Sequence, residues 1–202
     1  MTILPFLVLT IFASTAWGAI HLGCFKDTQD RDLKGLMITI DNNTPEFCNK
    51  VCLALGFRFA GVQYGKECFC GESFGAYGPV PDTDCNKPCT GDESLTCGGT
   101  WAQNIYDVLY IGCYIDKTSR DLEGGMTVTN TNTPTSCIKL CAENGYPFAG
   151  VQYAQECFCG TSFGAFGKAP ESDCNKPCTG AASLTCGGTW RQNIYLVPGR
   201  RS

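Results

Sequence analysis

"QYGKECFCGESFGAYG" (63–78) and "QYAQECFCGTSFGAFG" (152–167) are two nearly identical stretches of this chain, and they lie 89 positions apart. Each stretch places two cysteines one residue apart and follows them with glycines and aromatic residues. Residues two apart in an extended strand point to the same face of a sheet. Each stretch therefore predicts a short strand that carries both cysteines on one face. In the first copy, a strand at 59–64 and a tight turn precede this strand. We expect the two cysteines to be cross-linked to another element that packs on the same face.

A helix earlier in each copy is the predicted partner of this strand. In "NTPEFCNKVCLALG" (43–56), Thr44 is a suitable N-cap, Pro45 suits the first helical position, and Gly56 suits the left-handed turn at the end. Cys48 and Cys52 are four residues apart and so share one face of the helix. The second copy repeats the three end signals as Thr133, Pro134 and Gly145.

Joining the two inward cysteines of the helix to those of the strand predicts the bridges Cys48–Cys68 and Cys52–Cys70 and places Phe69 on the opposite face of the strand. The remaining cysteines are assigned as Cys24–Cys85 and Cys89–Cys97, although spacing alone leaves other connectivities open. The bridges expected in the second copy are Cys113–Cys174, Cys137–Cys157, Cys141–Cys159 and Cys178–Cys186.

The whole chain is organised as a tandem duplication. Residues 22–110 align without a gap to residues 111–199, with about 53 of 89 positions identical, and every cysteine recurs at the same offset. Each copy has eight cysteines and can close its own disulfides. We expect domains at 19–108 and 109–202. The strand-like "NIYDVLY" (104–110) runs directly into "IGCY" (111–114), which predicts a fixed relative orientation of the two domains.

The N-terminus, "MTILPFLVLTIFASTAWGAI", predicts a secretory signal peptide at 1–18. No other apolar stretch is long enough to cross a membrane, so we expect a secreted protein, extracellular or in a cell wall, in an oxidising space where cysteines pair. Asn42, in "NNT", is a potential N-glycosylation site that the second copy lacks.

Composition argues against several functions. The net charge of −4 disfavours binding to nucleic acid. His21 is the single histidine and has no counterpart in the second copy, so neither a histidine-based catalytic site nor a histidine metal site is expected. In a secreted chain, "CFC" and "CNKPC" favour disulfides over zinc. A glycosidase needs two carboxylates across a cleft, and a unit this small has little room for one. Arg31–Asp32 and its repeat are interpreted as structural polar pairs. We therefore expect no enzyme, no metal and no cofactor.

The order "GCF.D…R.L", "C…C", "FAGVQYGKECFCG", "C…C" and "CGG" resembles the WSC domain, a cysteine-rich module of fungal cell-wall stress sensors, secreted carbohydrate-active proteins and some animal receptors. The match covers both copies. The resemblance implies a small disulfide-rich α+β fold, similar to that of PAN/apple domains, in which an antiparallel sheet is crossed by one helix and held by four disulfides. It also implies binding of polysaccharides such as β-1,3-glucan, xylan or chitin.

Carbohydrate sites usually combine flat apolar rings with a few fixed polar groups, and both copies contain such a set. The candidate rings are Tyr64, Phe69, Phe74, Tyr77 and Trp101, repeated as Tyr153, Phe158, Phe163, Phe166 and Trp190. The candidate polar residues are Gln63, Glu67, Gln103 and Asn104, repeated as Gln152, Glu156, Gln192 and Asn193. The alternative is that these residues form the core of a small domain.

Two functions are compatible with the duplication. Two weak sites on one repetitive glycan gain avidity, which favours a non-catalytic polysaccharide-binding protein. Alternatively, two near-identical units in a rigid row could assemble head-to-tail into homo-oligomers or filaments.

Overall fold

A computed structural model describes residues 19–198 of the chain. The predicted signal peptide at 1–18 and the last four residues lie outside this range. Two units follow one another, and we call them unit 1 and unit 2. Unit 1 contains β1 (Ile20–Lys26), β2 (Leu36–Thr39), α1 (Pro45–Ala54), β3 (Phe59–Gln63), β4 (Glu67–Gly71), a 3-10 turn (Asp82–Asp84) and β5 (Ala102–Asp107). Unit 2 contains β6 (Tyr110–Ile115), β7 (Gly125–Val128), α2 (Pro134–Glu143), β8 (Phe148–Gln152), β9 (Glu156–Gly160), a 3-10 turn (Glu171–Asp173), β10 (Pro177–Cys178), β11 (Ala181–Thr185) and β12 (Arg191–Leu196).

Each unit is built on one five-stranded antiparallel sheet. The strand order is β1-β5-β3-β4-β2 in unit 1 and β6-β12-β8-β9-β7 in unit 2, so the two sheets have the same topology. Strands β3 and β4 form a hairpin in which Gln63 faces Glu67 across the turn. The quoted motif supplies the turn and the second strand of this hairpin, and the tight turn places residue 64 at the end of the sheet.

The helices begin at the residues that the sequence predicts. The side chain of Thr44 accepts a hydrogen bond from the Phe47 amide, and Thr133 forms a reciprocal capping box with Ser136. Gly56 lies just beyond the first helix with a φ of 72°. Cys48 and Cys52 are fully buried against the sheet.

All eight disulfides of the structure are those that the sequence predicts, four in each unit. In unit 1, Cys48–Cys68 and Cys52–Cys70 fasten the helix to β4, Cys24–Cys85 fastens β1 to the long loop, and Cys89–Cys97 closes that loop on itself. All sixteen cysteines lie in the described range and all are paired, so none is available as a thiolate ligand.

The opposite face of each sheet is also covered. Phe69, on β4 between the two inward cysteines, packs with Leu33, Phe59 and Ile105 in a second small core. In unit 2 the same layer is formed by Leu122, Phe158 and Ile194. Disulfides therefore fasten the helix to one face of the sheet, and apolar side chains cover the other face.

The strand that the sequence predicts across 104–110 is interrupted. Strand β5 ends at Asp107 in the first sheet, and β6 begins at Tyr110 in the second. The Asp107 carboxylate accepts a hydrogen bond from the Leu109 amide at 3.1 Å, which stabilises the turn between them. Two residues thus suffice to pass from one sheet to the other.

The two units are in direct contact around this turn. Val108, Leu109 and Tyr110 belong to one buried cluster that includes disulfides of both units. The Tyr110 hydroxyl donates to Glu171 at 2.6 Å and accepts from the Asn193 amide at 2.8 Å. The hydrogen bonds of Tyr110 lie within unit 2 and hold this residue in place, while the apolar cluster joins the two units, in agreement with a fixed orientation.

Candidate functional site

Four of the predicted aromatic residues are exposed, and they form matched pairs. The exposed fractions of Trp101 and Trp190 are 48% and 42%, and Tyr64 and Tyr153 are exposed to a similar degree. All four have positive φ angles between 48° and 58°. Bulky residues rarely adopt this conformation, and it is often found at functional sites. The backbone thus holds two rings at the surface of each unit.

Tyr64 lies in the tight turn between β3 and β4. The next residue, Gly65, donates its amide to the Cys97 carbonyl at 2.9 Å, which ties this turn to the disulfide-closed loop. The Lys87 amine from the same loop lies 5.4 Å from the centre of the Tyr64 ring, and Lys176 lies 4.6 Å from the Tyr153 ring. Each tyrosine is therefore accompanied by a cation.

Trp101 lies in the turn that precedes β5. Gly98 opens this turn with a φ of 66°, and its amide donates to the Asn104 side chain at 2.7 Å. A Cβ atom on Gly98 would collide with the carbonyl of Val62, so glycine is required here. The Trp101 carbonyl accepts from the Asp27 amide at 2.8 Å. These contacts fix the direction in which the indole leaves the sheet.

Arg31 supports the Trp101 ring from below. Its guanidinium lies 5.0 Å from the centre of the Trp101 ring and 4.9 Å from that of the buried Phe69. It also pairs with Asp27 at 2.7 Å. In the amide orientation that satisfies both of its polar atoms, Gln63 donates to Asp27 and accepts from Arg31. The result is a stack in which the phenyl ring, the guanidinium and the indole form successive layers.

Unit 2 repeats this stack. Arg120 lies 4.8 Å from the Phe158 ring and 5.2 Å from the Trp190 ring, and it pairs with Asp116 at 2.6 Å. The duplication therefore preserved a supported tryptophan in each unit.

Some of the candidate residues are buried, and the prediction that they contact a ligand directly is wrong. The buried set comprises Phe69, Phe158, Gln63, Gln152, Gln103, Gln192, Asn104 and Asn193, each with an exposed fraction of at most 5%. The phenyl rings pack in the second core layer, because the helix and disulfides occupy the other face of the strand. The side-chain oxygens of Asn104 and Asn193 accept hydrogen bonds from the backbone amides of Gly98 and Gly187.

Other candidates lie at half-buried positions away from the stack. Phe74 packs edge-on against Phe25 and Phe59, with ring centres 4.9 and 4.7 Å apart, and Phe163 packs in the same way against Tyr114 and Phe148. Their role is therefore largely packing.

The ring positions 77 and 166 have partners of their own. The Tyr77 hydroxyl donates to the Asp30 carbonyl at 3.2 Å, and the Lys117 amine lies 4.7 Å from the Phe166 ring. Glu67 and Glu156 are partly exposed at the start of β4 and β9, next to the tyrosine turns. These four residues remain candidates.

The roles of the "RDL" repeat were missed at the sequence level. Arg31 and Asp32 do not pair with each other: Arg31 pairs with Asp27, and Asp32 accepts the amides of Gly75 and Ala76 at 2.7 and 2.8 Å. The repeated aspartate four residues before each arginine was the signal that could have identified the pair. Lys87 and Lys176, which are not among the candidates, lie over the tyrosines.

A groove of 560 Å³ lies beside Trp101 and is lined by Lys26, Asp84, Asn86 and Lys87. The corresponding groove of unit 2 measures 310 Å³. Another cleft, of 680 Å³, lies between the units and is lined mainly by apolar side chains such as Leu22, Phe74 and Leu184.

Burial affects two tyrosines at the contact between the units. Desolvation, followed by the hydrogen bond to Glu171, raises the pKa of Tyr110 well above its ordinary value. Desolvation likewise raises the pKa of Tyr195. Both phenols are therefore held in their neutral form.

The exposed surface of each unit can thus offer a flat, rigid ring with cations and amides beside it. Such a ring packs against the C–H face of a sugar while polar groups exchange hydrogen bonds with hydroxyls. Nothing in this arrangement depends on a large cleft.

Comparison with known proteins agrees with the repeat. The sequence profile of the WSC domain matches residues 21–99 and 110–188. A Chaetomium globosum protein named "Putative fungistatic metabolite" is 33% identical over 94% of this chain and 97% of its own length. A WSC domain-containing protein of Arthroderma benhamiae is 35% identical over 86% of this chain, which covers 26% of that protein.

A xylosyltransferase of Drosophila pseudoobscura is 47% identical over 42% of the chain, and the match covers 10% of that enzyme. Within residues 19–198, neither helix has the length and apolar character needed to span a bilayer. Two profile matches, each containing the helix and all eight cysteines of one unit, show that the chain belongs to the WSC domain family and contains two tandem copies of the domain.

Proposed function

We propose that this chain is a secreted, non-catalytic protein that binds a polysaccharide through the exposed aromatic surfaces of its two units. The WSC domain is a carbohydrate-binding module, and the chain carries two of them. The observation that carries the proposal is the exposure of Trp101 and Trp190, each held at a positive φ against an arginine that pairs with a buried aspartate. An arrangement of this kind presents a ring to a ligand at a small cost in conformational entropy.

Tyr64 and Tyr153 extend this surface. Because Lys87 lies over Tyr64 and also lines the groove beside Trp101, the tyrosine and the tryptophan of unit 1 flank one lysine. A polymer has several sugar residues, and two rings can each contact one of them. The exposed edge of Glu67 or Glu156 would accept hydrogen bonds from hydroxyl groups.

Duplication supports a polymeric ligand. Two sites held in a fixed orientation can engage one repetitive chain, and linkage of this kind raises avidity by roughly 10²–10⁴ when the geometry allows it. The glycans proposed are the classes that the family resemblance implies: β-1,3-glucan, xylan and chitin.

Sedimentation with these three insoluble polysaccharides tests the proposal. We expect the purified protein to sediment with at least one of them, with no release of reducing sugar. Replacing Trp101 and Trp190 together by alanine should abolish sedimentation while the circular dichroism spectrum is unchanged. Retention of wild-type binding by the double variant, or persistent sugar release by highly purified protein, would contradict this function.

Secretion is part of the proposal. The N-terminal segment has the pattern of a signal peptide, and eight disulfides suit an oxidising compartment. Asn42 is exposed just before the first helix and is accessible for glycosylation. Mass spectrometry of the secreted protein, before and after enzymatic deglycosylation, tests both points.

Self-assembly is a second candidate function, and one observation favours it. The edge strand β7 is exposed along its whole length and carries Met126 and Val128, each 52% exposed. An unpaired, apolar strand edge can pair with another chain. Size-exclusion chromatography with light scattering distinguishes the two functions: a monomer across the accessible concentration range would reject assembly, and a concentration-dependent oligomer lost in Val128→Lys would support it.

A further inference from the structure

The two units differ in the residue that follows the exposed tryptophan. Ala102 follows Trp101 in unit 1, and Arg191 follows Trp190 in unit 2. The backbone around them is the same: the Gly99 amide donates to the Ala102 carbonyl at 2.8 Å, and the Gly188 amide donates to the Arg191 carbonyl at 2.9 Å. The difference is therefore confined to the side chain.

In unit 2, the arginine occupies the space beside the indole. Its Nε lies 3.0 Å from a carboxylate oxygen of Asp173, and its Nη1 donates to the Trp190 carbonyl at 2.9 Å. The arginine therefore neutralises the carboxylate and itself lines the groove. The groove that remains measures 310 Å³ and does not include Trp190 among its lining residues.

In unit 1, the same space is open. Ala102 is buried against the Cys24–Cys85 disulfide, and only its methyl group lines the groove at this position. Asp84, the equivalent of Asp173, is exposed and, among residues 19–198, has no ion pair. The groove measures 560 Å³ and is lined by Trp101, Asp84 and Lys87, among others.

We propose that the groove between Trp101 and Asp84 is the principal saccharide subsite of the chain, and that Arg191 blocks its equivalent in unit 2. This inference rests on the proposed function and deepens it. The ligand class is a neutral sugar ring within a polysaccharide: one C–H face packs on the indole and its hydroxyls reach the polar end of the groove.

The polar groups of the groove fit such a ring. A carboxylate is a strong acceptor for hydroxyl hydrogens, because hydrogen bonds to a charged group are shorter and stronger than neutral ones. The Lys87 amine donates to hydroxyl oxygens, and the Asn86 amide can do both. With Asp173 paired to Arg191, unit 2 keeps the exposed ring but loses the acceptor beside it. The two units therefore bind with unequal strength, and unit 2 acts as an auxiliary contact.

The duplication itself supplies the experiment, since each unit is the template for the other. We would compare wild type, Ala102→Arg, Arg191→Ala and the double exchange, each by sedimentation with insoluble β-1,3-glucan, xylan and chitin. The substituted side chains already exist in the same backbone frame of the other unit, so folding is expected to be preserved, and circular dichroism checks this.

Ala102→Arg should weaken binding at least about tenfold, because the new guanidinium pairs with Asp84 and closes the groove. Arg191→Ala should strengthen binding by opening the second groove. In the double exchange, dependence on the rings should be transferred: Trp190→Ala should then impair binding more than Trp101→Ala, which reverses the order expected in the wild-type background.

The outcomes separate this inference from the proposed function. If wild-type protein binds a polysaccharide but Ala102→Arg leaves the affinity unchanged, or if both tryptophan variants are equally impaired in the wild-type background, the assignment of the groove is wrong and polysaccharide binding stands. If wild-type protein binds none of the three polysaccharides, the proposed function fails and this inference fails with it.

Discussion

Arg58 of unit 1 donates a hydrogen bond through Nη1 to the hydroxyl of Thr135 in unit 2, at a distance of 2.6 Å. The same guanidinium pairs with Asp107 at 2.8 Å and lies 5.2 Å from the centre of the Tyr195 ring. Burial alone would lower the pKa of Arg58, but the charge and the hydrogen bond of Asp107, together with Tyr195 and Glu72, outweigh this effect, so the pKa lies above its ordinary value. One buried cation thus links the two units.

This contact uses positions at which the two copies differ. Pro147 replaces Arg58 in unit 2, and Glu46 replaces Thr135 in unit 1. Unit 2 of one chain therefore cannot form the same contact with unit 1 of another chain. If the protein assembles, it must use another surface, such as the exposed edge of β7.

Replacing Arg58 by alanine should destabilise the protein by about 3–5 kcal/mol, because removal of one partner leaves the buried Asp107 charge uncompensated. The side chains of Arg58 and Asp107 are only 5% and 6% exposed. Denaturant unfolding of the oxidised protein measures the change. Thr135→Ala is the matched control and should cost much less, since it removes one hydrogen bond and leaves the ion pair. A loss below about 1 kcal/mol in Arg58→Ala would show that the pair is not required.

Arg31→Lys should weaken polysaccharide binding about two- to fivefold, because lysine keeps the charge beside Asp27 but loses the flat guanidinium beneath Trp101. Sedimentation measures the affinity, and thermal unfolding checks that stability is nearly unchanged. Arg120→Lys, the matched change beneath Trp190, should have the smaller effect if the two subsites are unequal. Unchanged binding in Arg31→Lys would show that the stack does not position the indole for a ligand.

Removing disulfides should destabilise unit 1 according to loop length. The Cys24–Cys85 bridge spans 61 residues and Cys89–Cys97 spans 8. In the chain-entropy model, the longer loop stabilises by about 2 kcal/mol more. Paired alanine variants of each bridge, compared by denaturant unfolding, test this. An equal loss of stability in both variants would argue against the entropic explanation.

Non-reducing peptide mapping of the wild type should find no disulfide between the two units.

The contact between the units should weaken at alkaline pH. The pKa values of Tyr110 and Tyr195 are raised in the folded protein, chiefly by desolvation. A raised pKa means that the neutral phenol is favoured, so this contribution is complete below the unfolded pKa of about 10 and is lost as the pH rises through the folded-state values. Unfolding measured at increasing pH should show this loss, together with delayed tyrosinate absorbance.

Tyr110→Phe provides the control for the alkaline effect. It removes the hydroxyl that donates to Glu171 and accepts from Asn193, so it should lower stability at neutral pH and flatten the pH dependence. Tyr64→Phe, which changes an exposed ring, should leave both the stability at neutral pH and its pH dependence as in the wild type. A pH profile of Tyr110→Phe that matches the wild-type profile would assign the alkaline loss to other groups.

Much of this fold is determined by short-range sequence signals. Thr44 and Pro45 set the start of the first helix, and the four-residue spacing of Cys48 and Cys52 matches the two-residue spacing of Cys68 and Cys70 across a sheet. These signals depend on helix and strand periodicity, so the helix, the hairpin and the two bridges between them could be predicted, whereas spacing alone left the other two pairings of each unit open.

The site could be predicted only in part. Among the candidate rings, Trp101 and Trp190 are exposed, but Phe69 and Phe158, chosen on the same kind of evidence, are buried. Composition and spacing cannot say which face of a strand is covered by a second layer. That depends on where Leu33 and Phe59, which are distant in sequence, pack against the sheet.

The sequence by itself thus determined the repeat, through alignment of the chain with itself, and the helix, the hairpin and the two bridges that join them, through local periodicity. Only the tertiary structure decided that Arg31 lies between Phe69 and Trp101, that Arg58 links the two units, and that Arg191 fills a groove that Ala102 leaves open. These arrangements bring together side chains from separate loops and strands, and their positions follow from packing of the whole fold rather than from any one segment.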